Sequence, residues 1–273
     1  MLIRHTLTAG FSPILPPTVN PLLDLSARPI IAHRGASGSA PENTMPAFAL
    51  AVQQGADAFE LDVRLTADGV PVVLHDSTLD RTTDRNGPLG ALSLADLAGV
   101  DAGARFTLDG RRSYPFRGGA ARVPSLAEVL RGFPEIPVMV EVKEPAAQEA
   151  VRRTILEEGA VERCVLASEQ QAALQVFRQP PYATAASASE IGALYRAVLL
   201  RRPPAAVPYR TLSVPERHRG LRVPTRSFVA AARALGCPVH VWTVNDPAVA
   251  QRLWGGGVCG IVTNFPDRIR AGS

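Results

Sequence analysis

The chain carries the stretch Ala58-Phe59-Glu60-Leu61-Asp62-Val63, in which acidic and apolar side chains alternate. Successive side chains of a strand point to opposite faces, so Glu60 and Asp62 share a face. Two carboxylates on one face suit a hard cation, Mg²⁺ or Ca²⁺. The alternative is an exposed sheet edge that carries alternating acids. In that case only the face with Phe59, Leu61 and Val63 would be buried, whereas parallel strands are normally buried on both faces. We interpret the pair as part of a metal site on a buried parallel strand.

A second apolar run, Pro71-Val-Val-Leu-His75-Asp76, follows at once. The gap after Val63 is too short for a parallel crossover, which needs about a dozen residues or more, so the two strands form an antiparallel hairpin. Asp68-Gly69 supplies its turn. If the turn has two residues, the numbers of any two residues that pair across the hairpin add up to about 137. This register predicts that His75 lies opposite Asp62 and belongs to the acidic site.

With the second hairpin strand set aside, eight strand candidates alternate with helical stretches. The strands are Ile30–His33, Phe59–Val63, Val138–Lys143, Cys164–Ser168, Tyr182–Ala186, Thr211–Val214, Val239–Val244 and Gly260–Thr263. The clearest helices are Thr44–Gln54, Pro145–Glu158, Thr225–Leu235 ended by Gly236, and Asp246–Leu253 ended by Gly255. Eight alternations of strand and helix are typical of a (β/α)8 barrel, and a doubly wound sheet is the alternative.

A single lysine, Lys143, stands against 28 arginines, two residues after Glu141 at the end of an apolar run. The lysine ammonium is a compact point charge, whereas the arginine guanidinium is a rigid, planar group. This exception therefore indicates a position that requires the smaller ammonium group. A surface lysine is the alternative, but charges at the end of a buried strand are costly unless used. Strand alternation places Glu141 and Lys143 on one face. We therefore assign both to an active site.

The barrel prediction brings the polar motifs together, because chemistry in such barrels lies at the carboxyl ends of the strands. The residues at or near those ends are His33, Arg34, Glu60, Asp62, Glu141, Lys143 and Trp242. They describe a divalent cation held by three carboxylates, cationic groups for an anionic oxygen, and acid or base histidines. Phosphoryl transfer needs such a set, since it depends on positioning and charge neutralisation.

At these positions the sequence resembles the glycerophosphodiester phosphodiesterases, from about Pro29 to Pro266. The motifs are His33-Arg-Gly-Ala, Pro41-Glu-Asn-Thr44, Gly55-Ala-Asp57, Glu60-Leu-Asp-Val63, Thr66-Ala-Asp-Gly69, Val73-Leu-His-Asp76, Arg81-Thr-Thr83, Val123-Pro-Ser-Leu-Ala-Glu-Val-Leu130, Glu141-Val-Lys143 and Val241-Trp-Thr-Val-Asn245. Two positions depart from the usual pattern of the family. Asp is frequent at the position of Asn264. After the fourth strand the chain reads Ser168-Glu169, where Ser-Phe is usual.

The resemblance implies a (β/α)8 barrel of the phosphatidylinositol-phosphodiesterase type with a small insertion at about 77–122. It implies metal-dependent hydrolysis of glycerophosphodiesters to glycerol 3-phosphate and an alcohol, by way of a cyclic phosphate. The roles it implies are a metal at Glu60, Asp62 and Glu141, acid–base catalysis by His33 and His75, phosphate binding by Arg34 and Lys143, and pocket lining by Trp242.

Composition is compatible with one barrel domain at 29–273, preceded by an extension at 1–28 packed on it through Leu22, Leu23 and Leu25. Three cysteines and the lack of a secretory pattern after Met1 predict reduced thiols and a cytoplasmic enzyme. No apolar run reaches the ~18 residues of a membrane span. The net charge of +4 comes with scattered arginines and only 5% aromatics, which argues against nucleic acid.

Two other functions stay open at this point, and the sequence leaves the oligomeric state undetermined. A catalytically silent barrel that binds a phosphorylated ligand would be expected to lose one of the acids or histidines, and all are present. A lysophospholipid-cleaving enzyme of the phospholipase D type uses a similar barrel, but needs an apolar wall that the insertion, rich in Gly, Arg and Asp, does not obviously supply.

Overall fold

The structure, a computed structural model, describes residues 20–119 and 121–272. The first part of the predicted extension, residues 1–19, lies outside these ranges. The strands are β1 Ile30–His33, β2 Ala58–Leu65, β3 Pro71–Val73, β4 Val138–Val142, β5 Cys164–Ala167, β6 Ala183–Thr184, β7 Leu212–Pro215, β8 Arg217–His218, β9 Leu221–Arg222, β10 Val239–Trp242 and β11 Gly260–Thr263. The α-helices are α1 Met45–Gln53, α2 Leu94–Leu97, α3 Leu126–Gly132, α4 Gln148–Glu157, α5 Ala188–Leu199, α6 Arg226–Ala234, α7 Pro247–Gly255 and α8 Pro266–Ala271.

Eight of these strands form one parallel sheet that curls into a barrel. Their order is β6-β5-β4-β2-β1-β11-β10-β7. A parallel bridge between Ala185, just after β6, and Thr211, just before β7, joins the two ends of the sheet. The prediction of a (β/α)8 barrel is therefore confirmed, and the alternative of an open doubly wound sheet is wrong.

Side-chain alternation divides the core into an outer and an inner part. On β2, Phe59 and Leu61 pack outward with the helix residues, and Ala58 packs inward with Ile31, Met139 and other small or aliphatic side chains. The residues that follow Ala58 on the same face, Glu60 and Asp62, therefore also point into the barrel. Apolar side chains fill its lower interior, and charged side chains occupy its carboxyl end.

The hairpin between β2 and β3 is antiparallel, as predicted, but its register differs by one residue. Val63 pairs with Val73, so paired numbers sum to 136, not 137. The loop has three residues rather than two, because Thr66 N–H donates to Val70 O at 3.1 Å and Gly69 adopts φ +74°. A left-handed residue after a tight turn is typical of three-residue hairpin loops. Leu74, not His75, hydrogen-bonds beside Asp62, through its N–H to Asp62 O.

Helix boundaries follow the capping residues. The Thr44 and Thr225 side chains accept hydrogen bonds from the first turns of α1 and α6, and Asp246 does the same for α7. Each removes an unpaired backbone donor at its helix start. The predicted end of α7 at Gly255 was early: the helix includes Gly255, and the chain turns at Gly257, where φ is +92°.

The insertion between β3 and α3 has an apolar cluster of its own. Leu79, Leu89, Leu97 and Val100 pack there against Val72 of β3. Ser93 begins α2 with a reciprocal capping box to Asp96.

The three cysteines are buried and unpaired, which confirms the prediction of free thiols. Among the described residues, no helix is both long enough and apolar enough to cross a membrane.

The amino-terminal floor of the barrel is formed by Leu22 and His240. Leu22 is buried among the inward-facing residues, whereas Leu23 and Leu25 are half-buried. His240 is fully buried, and its Nε2 donates to Leu22 O at 2.9 Å. Gly260 leaves room for the imidazole, because an added Cβ would collide with Nδ1. Among the residues that the structure describes, Nδ1 has no hydrogen-bond partner, so the prediction of a satisfied barrel histidine holds for only one ring nitrogen.

Stability should fall in mild acid because of His240. Burial lowers the pKa of His240 from 6.5 to about 4, so the folded protein binds fewer protons than the unfolded chain between these values. The contribution of neutral His240 to the free energy of unfolding is complete above pH 6.5. It is lost as the pH falls toward 4, by up to about 1.4 kcal/mol per pH unit. His240→Gln retains a donor near the Nε2 position but does not titrate. Its melting temperature should depend less on pH across this window; equal slopes for both proteins would refute the assignment.

Candidate active site

Three carboxylates meet at the carboxyl end of the barrel. Glu60 and Asp62 lie on β2, and Asp62 pairs in register with Glu141 on β4. One oxygen from each lies within 4.8 Å of the others. Glu60 and Asp62 are buried, and Glu141 is partly buried. Burial, together with the charges of Asp62 and Glu141, raises the pKa of Glu60 well above its usual value.

Two cations partly neutralise this cluster. Nε of Arg34 lies 3.0 Å from Asp62 Oδ2, and Nζ of Lys143 lies 2.9 Å from Glu141 Oε1 and 3.3 Å from Asp62 Oδ1. Burial alone would raise the pKa of Asp62, but the charges of Arg34 and Lys143 lower it. Asp62 Oδ1 is buried, and Lys143 Nζ is its ion-pair partner. Two cations facing three carboxylates leave a site that still favours added positive charge.

His33 is held at the edge of the cluster by a residue far along the chain. Its Nδ1 donates to Asn264 Oδ1 at 2.7 Å, and its Nε2 lies 3.9 Å from Glu60 Oε2. Since Asn264 fixes the proton on Nδ1, the lone pair of Nε2 faces the site. Burial and the charge of Arg34 lower the pKa of His33. These conditions favour a neutral imidazole that can accept a proton.

His75 lies at the rim and is oriented by its neighbour in sequence. Its Nδ1 donates to Asp76 Oδ1 at 2.6 Å. Although burial opposes the shift, hydrogen bonds from Arg81 and His75 lower the pKa of Asp76 to about 2. The charge of His75 also contributes to lowering the pKa of Asp62. The hairpin register that placed His75 opposite Asp62 was wrong, and the contacts that orient His75 come from Asp76 and, behind it, Arg81.

A chain of ion pairs joins the rim to the centre of the site. Arg81 donates to Asp76 at 2.6 Å and to both carboxylate oxygens of Glu42 at 2.7 Å. Glu42 in turn accepts from Arg34 at 3.0 Å. Asn43, with φ +58°, donates from Nδ2 to Asp62 Oδ2 at 2.9 Å. A non-glycine residue with positive φ is costly and persists where its surroundings fix it.

Sequence reasoning gave these orienting residues no role in the active site; it considered Asn43 only as an alternative to Thr44 for the cap of α1, and the cap is Thr44. The residues missed are Glu42, Asn43, Asp76, Arg81 and Asn264. All but Asn264 lie in the motifs that carry the family resemblance, so the signal for them was their place in a motif. Asn264 was noted only as a departure from the usual residue.

Trp242 and Glu169 lie at the same end of the barrel. Trp242 is the last residue of β10 and is 36% exposed. The usual burial of a strand tryptophan does not apply here, whereas Trp254 is buried. Glu169 follows β5, is exposed, and its charge contributes to raising the pKa of Glu141. An exposed indole at the barrel mouth offers an apolar surface for a ligand.

Comparison with known proteins agrees with this geometry. The sequence profile of the glycerophosphoryl diester phosphodiesterase family matches residues 33–268. A glycerophosphodiester phosphodiesterase of Caldanaerobacter subterraneus is 33% identical over 248 residues, which cover 88% of this chain and 95% of the relative.

Solved structures share the fold as well. A glycerophosphodiester phosphodiesterase from Agrobacterium tumefaciens is 29% identical, with a TM-score of 0.70, over 89% of this chain and 99% of its own. An Oleispira antarctica phosphodiesterase in complex with the product sn-glycerol-3-phosphate is 26% identical, with a TM-score of 0.74, over 90% of this chain and 96% of its own. With the acids, cations and histidines gathered at the barrel mouth, these similarities show that the chain belongs to the glycerophosphoryl diester phosphodiesterase family.

Proposed function

We propose that the enzyme hydrolyses glycerophosphodiesters to glycerol 3-phosphate and an alcohol with the help of a divalent cation. The observation that carries this proposal is the trio of Glu60, Asp62 and Glu141 at the carboxyl end of the barrel, bordered by two cations and two histidines. Family membership supports the reaction class. The product held by the Oleispira antarctica relative supports a glycerol phosphate substrate of small size.

The acidic trio fits a hard cation by its chemistry. All three donors are carboxylate oxygens, which Mg²⁺ and Ca²⁺ prefer, and one oxygen from each lies within 4.8 Å of the others. Burial, together with the neighbouring carboxylates, raises the pKa values of Glu60 and Glu141, which supports a site that an added cation would stabilise. When bound there, a divalent cation would neutralise charge that develops on the phosphate oxygens.

The remaining charges suit the phosphate and the proton transfers. Arg34 and Lys143 would hold the non-bridging phosphate oxygens, and Trp242 would line the mouth. As a glycerol hydroxyl attacks phosphorus, Nε2 of His33 accepts its proton, and His75 donates a proton to the alcohol oxygen as the P–O bond breaks. Water then attacks the phosphorus of the cyclic phosphate as His75 takes its proton, and the P–O bond to the glycerol oxygen breaks as His33 returns a proton to that oxygen.

A substrate panel tests the function. Purified enzyme loaded with Mg²⁺ or Ca²⁺ is assayed against glycerophosphodiesters and against lysophospholipids, with products identified by phosphorus NMR. We expect glycerol 3-phosphate from the diesters and little turnover of lipids, because the large apolar residues of the insertion are mostly buried in its own cluster. Turnover of lysophospholipids alone would support a lipid-cleaving enzyme instead. Binding without turnover of any substrate would support a silent barrel.

Lys143→Arg should lower turnover by at least about 10-fold while the fold stays intact. Nζ fits between Glu141 and Asp62, and the longer planar guanidinium would displace these carboxylates. A tenfold loss corresponds to about 1.4 kcal/mol of transition-state stabilisation. Steady-state kinetics and thermal melting measure both parts. The matched control is Arg131→Lys, at an exposed ion pair with Glu158. Unchanged kinetics for Lys143→Arg would exclude a specific role of Lys143 in phosphate binding and leave Arg34 as the phosphate-binding cation.

We further propose a cytoplasmic enzyme with one barrel domain at 29–273, an insertion at about 77–122 and an extension at 1–28. The three unpaired, buried cysteines support a reducing location. The separate apolar cluster of the insertion supports its boundaries. Fractionation of the native cells with an antibody against the chain tests the location, and recovery in an extracytoplasmic fraction would contradict it.

A further inference from the structure

The insertion forms a cavity beside the active site. Its volume is about 790 Å³, which is within the usual range for small-molecule sites. Four arginines line it, together with aspartates and an aromatic side chain. We call it the arginine pocket and define it by Arg81, Arg105, Arg111, Arg117, Tyr114 and Asp101.

Among the described residues, the aspartates of the pocket accept backbone hydrogen bonds and lie outside ion-pair distance of its arginines, although the charge of Arg105 still acts on Asp80. Asp101 accepts from Gly103 N at 2.8 Å and from Gly118 N at 2.7 Å. Asp84 accepts from Asp101 N at 2.8 Å, and Asp80 accepts from Gly87 N at 3.0 Å. Within residues 20–119 and 121–272, no carboxylate forms an ion pair with Arg105, Arg111 or Arg117.

Two of these arginines are held in place by neutral groups. Nε of Arg105 donates to Thr83 O at 2.7 Å, and Nε of Arg117 donates to Ala104 O at 2.9 Å. The guanidinium of Arg117 also stacks 3.7 Å over the ring of Tyr114. Both contacts fix the side chain without neutralising its charge. Positioned guanidinium groups of this kind bind phosphate through paired hydrogen bonds.

Arg81 connects the pocket to the reacting groups. It lines the cavity and also donates to Asp76, which orients His75. In the proposed reaction His75 protonates the leaving alcohol, and Arg81 connects His75, through Asp76, to the pocket. A group carried by the alcohol can therefore extend toward Arg105, Arg111 and Arg117.

We propose that the arginine pocket binds a second phosphate carried by the leaving alcohol. The enzyme then prefers glycerophosphodiesters whose alcohol is itself phosphorylated over those with a neutral or cationic alcohol. This inference rests on the proposed function, because it assigns the alcohol to the side of His75.

The test compares two substrates that differ by one phosphate: glycerophosphoglycerol, and the same diester with a phosphate on its terminal hydroxyl. We expect wild-type kcat/KM to be at least about tenfold higher for the phosphorylated diester, mainly through KM. Arg105→Gln and Arg111→Gln should each lower this ratio about tenfold. Both arginines are exposed, but Arg105 also donates to Thr83 O, so Arg111→Gln remains informative if Arg105→Gln does not fold. The matched control is Arg112→Gln, which removes the same charge from a residue of the same loop that does not line the pocket.

A ratio near one for the wild type, or a preference for glycerophosphocholine, overturns the inference and leaves the proposed function intact. Inactivity on every diester instead overturns the proposed function, and the pocket is then assessed by calorimetry with inorganic phosphate. Loss of phosphate binding in Arg111→Gln but not in Arg112→Gln supports an anion site there, and no phosphate binding by the wild type overturns it. Phosphate binding without any substrate preference identifies a site for the free ion and overturns the assignment to the alcohol.

Discussion

Glu60→Gln and Asp62→Asn should each lower turnover by more than about 100-fold. Removal of a group that only orients a metal ligand typically costs 10- to 100-fold, so loss of a ligand itself should cost more. Turnover with saturating Mg²⁺ or Ca²⁺ measures the loss. Chelation should inactivate the wild type, and hard divalent cations should restore it. The matched control is Glu157→Gln, on the exposed face of α4, which should retain full activity.

Melting experiments separate the loss of metal binding from unfolding. A ligand that binds only the folded state raises its stability, so added metal should raise the melting temperature of the wild type and much less that of the variants. Burial raises the folded pKa of Glu60 above 4.5, so ionising this group destabilises the metal-free protein as the pH rises past that value. Glu60→Gln without metal should therefore melt at or above the wild type at neutral pH. Full turnover in excess chelator, at zero metal content, would exclude the metal site.

The sequence predicted the barrel because its evidence is local. Each strand carries its own apolar pattern, and short connections leave few arrangements for eight strands. Alternation alone placed Glu60 and Asp62 on one face, and the in-register pairing of Asp62 with Glu141 brings the third carboxylate to them. Active sites of such barrels lie at the carboxyl ends of the strands, and this principle predicted that the polar motifs of different strands meet in one pocket.

The parts that sequence reasoning missed depend on contacts between distant residues or on loop geometry. Asn264 reaches His33 across 231 residues, and Arg81 reaches Glu42 across 39. No periodicity encodes such pairs. The hairpin register depended on whether the turn used two residues or three, which Asp68-Gly69 alone does not determine. One residue of difference moved Leu74 into the place expected for His75.

His33→Ala and His75→Ala should each lower turnover by at least about 100-fold, with smaller effects on substrate binding. A positioned general acid or base contributes about 10²- to 10⁴-fold. Single-turnover kinetics measure the chemical step on a glycerophosphodiester with a poor leaving group. His218→Ala is the matched control, because His218 is exposed on β8 and should be silent. A variant of His33 or His75 with near wild-type turnover would remove that residue from catalysis.

The leaving group distinguishes the two histidines. A nitrophenyl alcohol departs without a proton, so it should restore much of the activity of the variant that lacks the acid and little of the activity of the one that lacks the base. The lone pair that Asn264 directs to Nε2 of His33, and the lowered pKa of that ring, suit the base. We therefore expect rescue of His75→Ala and not of His33→Ala. Rescue of His33→Ala would reverse the roles, and equal losses on both substrates for both variants would exclude a general acid.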